Sequence, residues 1–420
     1  MEFSHPDDSL SEGEDSIVEN SLPDDTHLEG EVAVNVPDSI VQVRRSARDK
    51  HVPKRFGEWI FAANNNETEP VSAKEALLSP EKEHWMAAMQ DEMNSINSND
   101  VYDLVELPEG RKALNSRWVF KKKMTSDGSV DRYKARLVAQ GFSQKFGKDY
   151  DETFCPVVRF ESIRTVIALA VQNDMKLHQM DVTAAFLNGK LSEEIYMKQP
   201  EGFVEKGKKH LVCKLKKSIY GLKQSPRCWN FALDDTLKKL GFVQTSGDPC
   251  IYVNSKGEKF IIAIYVDDII LCCKSEKYLR KIKDSLSQQY NMKNLGELNY
   301  FLGVKIVQDC DKGQVWIGQP VYTENILKTF GMENAKPVQP PVDSSQKLVK
   351  ATETSSLCDI EQYQSAVGSL LYLSVKTRPD ITYAVSNVAR FCAKPTMQHW
   401  MAVKRIMRYL KGTENFWNTV

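Results

Sequence analysis

Phe260 to Cys273 reads FIIAIYVDDIILCC, two adjacent aspartates inside an otherwise apolar run. No Lys or Arg stands beside them in sequence. An isolated carboxylate in a dry interior is costly even after relaxation, so a protein keeps one where it is paired or binds a metal. Successive residues of a regular strand point to opposite faces. Two adjacent aspartates therefore reach one site only at a turn. The flanks IIAIY and IILCC are apolar enough to be two buried strands, which places Asp267 and Asp268 at the tip of a tight hairpin. The pair lacks the Gly or Asn that ordinary two-residue hairpin turns favour, which weakens the reading of a mere exposed turn.

A second carboxylate has a similar setting. Asp181, in HQMDVTAAFLNG, follows a short strand and precedes small residues and an aromatic. Three oxygen-donor carboxylates with room for a phosphate suit two Mg²⁺ ions, roughly 3.5–4 Å apart. Mg²⁺ keeps several waters and takes further ligands from phosphates. By itself Asp181 reads equally well as a strand-end or turn residue.

Around this centre the chain is long enough, at 420 residues, for two or three domains. Its formal charge of zero sums unlike parts. Residues 1–40 hold twelve Asp/Glu and no Lys/Arg; the remainder holds 44 acidic against 56 basic residues. The acidic, aromatic-poor tail is expected to be disordered. RRSARDKHVPKRF, Arg44 to Phe56, reads as a solvated linker, an import signal or a nucleic-acid patch. A basic body points to a polyanionic partner. No apolar run reaches a membrane span and no signal peptide opens the chain. Nine scattered cysteines without metal spacing point to free thiols in a reducing, intracellular setting, cytoplasmic or nuclear.

Order is expected from Ser79, as the N-cap of a helix with Pro80 at its first position and Trp85, Met89, Met93 and Ile96 inward. Residues 117–142 read as a basic hairpin turning at Ser126–Gly128, with strands near Trp118–Lys123 and Val130–Val138. ESIRTVIALAVQND reads as a helix with Ile163, Val166, Ile167 and Ala170 inward. SPRCWNFALDDTLKKLGF is an amphipathic helix stopped by Gly241, and SEKYLRKIKDSLSQQY another. CIYVNSKGEKF supplies strands with NSKG as a turn. Short strands follow Gly296. Residues 336–358 form a polar linker, and helices run from SAVGSLLYLSV to the end. In the last of these, Trp400, Val403, Ile406, Met407 and Leu410 form one face, with Lys404, Arg405, Arg408 and Lys411 mainly off it.

Seven segments in order resemble the reverse transcriptase of copia-type long-terminal-repeat retrotransposons: RWVFKKK, RYKARLVAQGFSQKFGKDYDETFCPVVRFESIR, QMDVTAAFLNGKLSEEIYMKQPEGF, KSIYGLKQSPRCW, YVDDIIL, LGELNYFLGVKI and HWMAVKRIMRYLKGT. They run from Arg117 to Thr413, and the resemblance as a whole covers about residues 80–413. The resemblance implies an α+β right-hand polymerase of fingers, palm and thumb, with a mainly antiparallel palm sheet. Residues 1–78 would be tail and linker, 79–335 fingers and palm, and 359–420 a helical thumb or connection. Asp181, Asp267 and Asp268 would be the catalytic metal ligands, for two Mg²⁺ ions or Mn²⁺. Phe186 would read the sugar, and Tyr265 would lie against the primer end. Gly221, Lys223 and Gln224 would line the nucleotide and template pocket, Gly221 letting backbone approach the base pair. Lys134 and Arg136 would hold the triphosphate. Phe301, Leu302 and Gly303 would form the primer grip.

The implied activity is RNA-directed DNA synthesis on an RNA or DNA template with primer and dNTPs, with other Pol or Gag products as further partners. The basic surplus, including the 404–411 helix, would track the phosphate backbone, so binding should weaken with salt. The chain departs from the family at Val101–Tyr102, where a tryptophan is common. It also stops at KGTENFWNTV, where the family continues into an RNase H domain, so RNase H, protease and the integrase core are expected to be absent from it. The alternative is a catalytically inactive remnant that still binds nucleic acid.

Overall fold

The computed structural model describes residues 69–124, 129–254, 257–309 and 312–419. The acidic tail, the basic segment 44–56, the Ser126–Gly128 turn and the middle of NSKG lie outside them.

The first helix, α1 (Ala73–Leu78), is capped by Ser72, whose hydroxyl accepts from Glu75 N. Ser79 ends that helix, its Oγ donating to Ala76 O at 2.8 Å. The second helix, α2 (Lys82–Ser98), starts behind Glu81. Ser79 is therefore a C-cap, Pro80 lies in the turn between two helices, and the ordered fold begins before residue 79. The inward stripe of α2 is as its spacing requires: Trp85, Met89, Met93 and Ile96 are buried.

The chain continues through β1 (Tyr102–Val105), β2 (Ser116–Met124) and β3 (Val130–Ala139), then α3 (Phe160–Gln172) and β4 (Lys176–Val182). β5 (Lys190–Lys198) and β6 (Val212–Lys217) lead to α4 (Ser225–Lys239) and β7 (Phe242–Gln244). β8 (Ile251–Asn254), β9 (Phe260–Tyr265) and β10 (Asp268–Cys273) precede α5 (Glu276–Gln289). Next come β11 (Met292–Glu297), β12 (Tyr300–Phe301), β13 (Val304–Asp309) and β14 (Gln314–Gly318). Helices α6 (Pro320–Thr329), α7 (Ile360–Lys376), α8 (Thr382–Ala389) and α9 (Met397–Gly412) follow, and β15 (Asn418–Thr419) ends the described chain.

The strands form antiparallel sheets. β2 and β3 make a ribbon covered by α2, and β1-β6-β5 share that core. The central sheet runs β11-β4-β10-β9-β8-β7. One face packs Ile270 and Ala263 against Ile163, Ile167 and Ala170 of α3. The other packs Ile262, Ile264, Ile269 and Leu271 against α4 and α5. Burial on both faces explains why FIIAIY and DIILCC lack polar alternation, a pattern more usual in parallel sheets. β12-β13-β14-β15 form a third layer beside α3.

Helices α6–α9 share a separate core built on Tyr363, Leu370, Val385, Val403 and Leu410. This layer includes α6, which sequence periodicity had not separated from the strands before it. The polar linker is docked, not free: His399 lies 2.9 Å from Val349 O, Arg405 donates to Pro340 O at 3.2 Å and Arg408 to Lys336 O at 2.7 Å. Two of the cations expected to follow a phosphate backbone thus bind the chain's own carbonyls. Lys411 pairs with Glu414. Among the described residues the cysteines are free thiols, and no helix is long and apolar enough to cross a membrane.

Candidate active site

The centre is the β9–β10 hairpin. Tyr265 pairs with Asp268, leaving Val266 and Asp267 as a two-residue turn. Val266 takes the left-handed conformation at φ 57°, in a position such turns normally fill with Gly or Asn. Asp268 opens β10 directly opposite Asp181 of β4. Lys293 of β11 opposes Asp181 on the other side, so Lys293, Asp181, Asp268 and Tyr265 form one row across the sheet. Directly opposite residues share a face, with Cβ atoms about 4.5–5.5 Å apart, and like charges there are destabilising. Gln179, two residues before Asp181 and on the same face, donates to Asp268 Oδ1 at 3.2 Å.

Burial, followed by the nearby Asp181, holds Asp267 above the ordinary aspartate range, against the pull of Arg136. Burial also raises Asp268, with Asp181 adding to it and the Gln179 hydrogen bond opposing it. An acid whose pKa rises on folding stabilises the fold below its unfolded pKa and loses that contribution as pH climbs through the folded value. Wild type should therefore lose stability relative to Asp267→Asn as pH rises above about 4, counting from the unperturbed value of about 3.9. Thermal melts of both proteins in chelator across that range check this. A wild-type chain that gains on the variant with rising pH would contradict it.

Beside the carboxylates stands an aromatic and cationic wall. Ala184 is left-handed (φ 56°) and starts a short 3₁₀ turn, Ala185–Asn188, that carries Phe186. The Phe186 ring meets Tyr220 edge-on at 5.0 Å, and Ser218 Oγ donates to Phe186 O. The Arg136 guanidinium lies over the Tyr220 ring at 4.5 Å. Burial pushes the Tyr220 hydroxyl up to about 12, with Asp267 and Asp181 adding to it and Arg136 opposing. Lys134, two residues before Arg136 on β3, is lowered by its own burial and by neighbouring cations, and acts on Asp267. The three aspartates, Tyr265, Arg136, Lys134 and Phe186 are thus brought into one neighbourhood.

Other expected site residues make contacts within the chain. Gln224 is 1 % exposed. Its amide accepts from Gln144 Nε2 at 3.0 Å and donates to Asp149 O at 2.8 Å, so it clasps the 141–150 loop. Lys223 Nζ donates to Tyr150 OH (3.0 Å) and Gln144 O (3.3 Å). Gly221 is left-handed (φ 93°), and a Cβ there would stand 2.1 Å from Ala139 O, so its backbone approaches β3 closely. Phe301 is a core side chain. Leu302 (φ 50°) and Gly303 (φ 74°) form the β12–β13 turn, and Tyr372 of α7 donates to Leu302 O at 2.9 Å.

Sequence reading passed over Gln179, Tyr220, Trp229 and Lys293. Gln179 could have been found from the period of two that puts it beside Asp181. Tyr220 and Trp229 lay inside KSIYGLKQSPRCW without a role.

The carboxylates supply hard oxygen donors set against each other, as a hard cation requires. Among the described residues no group of three or more His, Cys, Asp or Glu forms a ready cage. A Mg²⁺ ion bound there would complete its shell with water and phosphate oxygens.

Residues 99–344, which contain every one of the site residues above from Lys134 to Gly303, match the family described as reverse transcriptase (RNA-dependent DNA polymerase). The chain belongs to the reverse transcriptase family. This reverse transcriptase chain is 46% identical over 379 residues to the retrovirus-related Pol polyprotein from transposon TNT 1-94 of Nicotiana tabacum, covering 88% of the chain and 28% of that protein. It is 42% identical over 351 residues to the corresponding polyprotein from transposon RE1 of Arabidopsis thaliana, covering 83% and 24%. It is 38% identical over 237 residues to the putative transposon Ty5-1 protein of Saccharomyces cerevisiae, covering 56% and 76%. The chain spans about a quarter of the length of the two plant relatives. Its likeness to them places it among copia-type reverse transcriptases.

Proposed function

We propose that this chain is an RNA-directed DNA polymerase that adds dNTPs to a primer 3′-OH on an RNA or DNA template. One observation carries the reading: in a reverse transcriptase sheet, Asp268 and Asp181 are held directly opposite each other, with Asp267 at the adjoining turn. A fold bears such repulsion where a cationic ligand offsets it.

Asp181, Asp267 and Asp268 would hold two Mg²⁺ or Mn²⁺ ions, which when bound supply Lewis-acid polarisation and charge neutralisation at a phosphoryl centre. Arg136, fixed over Tyr220, would orient the triphosphate, with Lys134 adding positive charge. Phe186, backed by Tyr220, would exclude a ribose 2′-OH. Tyr265 and the Phe301–Gly303 turn would position the primer. The β2–β3 ribbon and the β1-β6-β5 sheet are the fingers in this reading, the central sheet the palm and α6–α9 the thumb or connection. Catalysis is then positioning and electrostatics, without a covalent nucleophile. The Pol polyprotein relatives point to other Pol or Gag products as partners.

The test is primer extension by the purified chain on an RNA template with dNTPs and Mg²⁺ or Mn²⁺. Extension that chelator abolishes and rNTPs support poorly is expected. Tight primer–template binding with no extension under either metal would overturn the catalytic reading.

A further inference from the structure

Val266 raises a question that the carboxylates do not answer. A β-branched residue with positive φ is a true conformational outlier. Such a residue persists only where its surroundings over-determine it. Two N–H groups grip the turn, one on each carbonyl. Val182 N, next to Asp181 in sequence, donates to Asp267 O at 2.9 Å. The indole Nε1 of Trp229, reaching from α4 on the opposite face of the sheet, donates to Val266 O at 2.8 Å.

Trp229 is itself immobilised. It is 1 % exposed, and Tyr290 meets its ring edge-on at 5.0 Å. The first turn of α4 is pressed against the loop that follows Phe186: a Cβ at Gly189 would stand 2.7 Å from Trp229 N. The helix therefore ties the Phe186 turn to the hairpin tip. Its contact with the tip is an indole N–H, which can only donate.

We propose that Trp229 is a positioning residue that holds Val266 in its left-handed conformation and thereby aims Asp267 and Asp268. This rests on the reading of those aspartates as the catalytic centre. Trp229→Phe keeps an aromatic ring and removes the donor. In the full chain it is expected to lower kcat for primer extension about tenfold to a hundredfold, the scale of a misplaced reacting group, with little change in the KM for dNTP. Val266→Gly, added to that variant, should restore most of the loss, because glycine adopts positive φ without a Cβ penalty.

Hydrogen exchange gives a readout independent of activity. Trp229→Phe should speed exchange at residues 266–268 and at Val182, and Val266→Gly should not slow the remainder of the sheet. Unchanged kcat and unchanged exchange overturn the proposal. So does a loss that Val266→Gly fails to restore, which would mark Trp229 as core packing alone. If wild type extends no primer, the polymerase reading falls by itself, and exchange at the tip still decides the role of the indole. If Trp229→Phe does not fold, wild type labelled with ¹⁵N-tryptophan and ¹³C′-valine decides: a through-hydrogen-bond coupling from the Trp229 indole N–H to the Val266 carbonyl supports the proposal, and a resolved indole signal without it overturns it.

Discussion

Replacing Asp267 and Asp268 together by asparagine is expected to lower primer extension by at least roughly 10²–10³, the scale of lost electrostatic stabilisation at other active sites. The substitution keeps shape and removes charge. Asp268 stands opposite Asp181, and Asp267 is within electrostatic reach of Asp181 and Arg136. The variant therefore loses the donors that a divalent cation needs and keeps the fold. Primer–template affinity should change little, because the cationic β2–β3 ribbon and the hairpin turn remain. Thermal stability in chelator should rise, since two carboxylates with raised pKa values no longer ionise against Asp181. Rate, affinity and melting temperature separate the outcomes. Lost activity with retained binding and raised stability is the expected set. Equal activity in both proteins would show that another polymerase is being measured and would remove the support for the site. Loss of activity with loss of stability would mean that the hairpin needs its aspartates for folding.

Gly221→Ala should be the most damaging single methyl group in the described chain. The residue has φ 93°, and a Cβ would stand 2.1 Å from Ala139 O and 2.6 Å from Val138 Cγ1. The first of these is backbone, and Ala139 N is already bonded to Tyr220 O at 2.8 Å. No rotamer change relieves the clash, so the Tyr220 turn and the end of β3 must separate. The left-handed backbone costs about 1–2 kcal/mol and overpacking about 1–3 kcal/mol; together they amount to about 2–5 kcal/mol. Gly110→Ala is the control: its φ is 73°, with nothing within 4 Å of the added Cβ, so only the backbone cost applies. Urea denaturation of the two variants measures the difference. Activity should fall in Gly221→Ala beyond the stability loss, because Arg136 rides on the strand that moves and rests on Tyr220. Normal stability with a raised KM for dNTP would instead favour a role for Gly221 against the base pair.

The local features were legible. Strand and helix faces followed from periods of two and 3.6, as with Ile163, Val166, Ile167 and Ala170, all buried. The paired aspartates announced a hairpin tip because desolvation makes two adjacent charges in an apolar run costly wherever the chain goes. The Ser79 cap was misread because a serine before a proline opens a helix or closes one with equal chemistry. What decided it was α1, whose alanine-rich turn precedes it. Arg405 and Arg408 looked free because their partners, the carbonyls of Pro340 and Lys336, carry no signal in a sequence.

The sequence by itself thus determined that two carboxylates sit at a turn between buried strands, and that a third stands near the end of another strand. Those are consequences of short-range sterics and of solvation, which act on neighbours in the chain. Only the tertiary structure decided that Asp181 faces Asp268, that Gln224 is a buried clasp, that Gly221 is required by Ala139, and that an indole from α4 grips Val266. Sheet register and helix packing join residues far apart in sequence. They are set by the shared burial of many side chains, and no single motif records them.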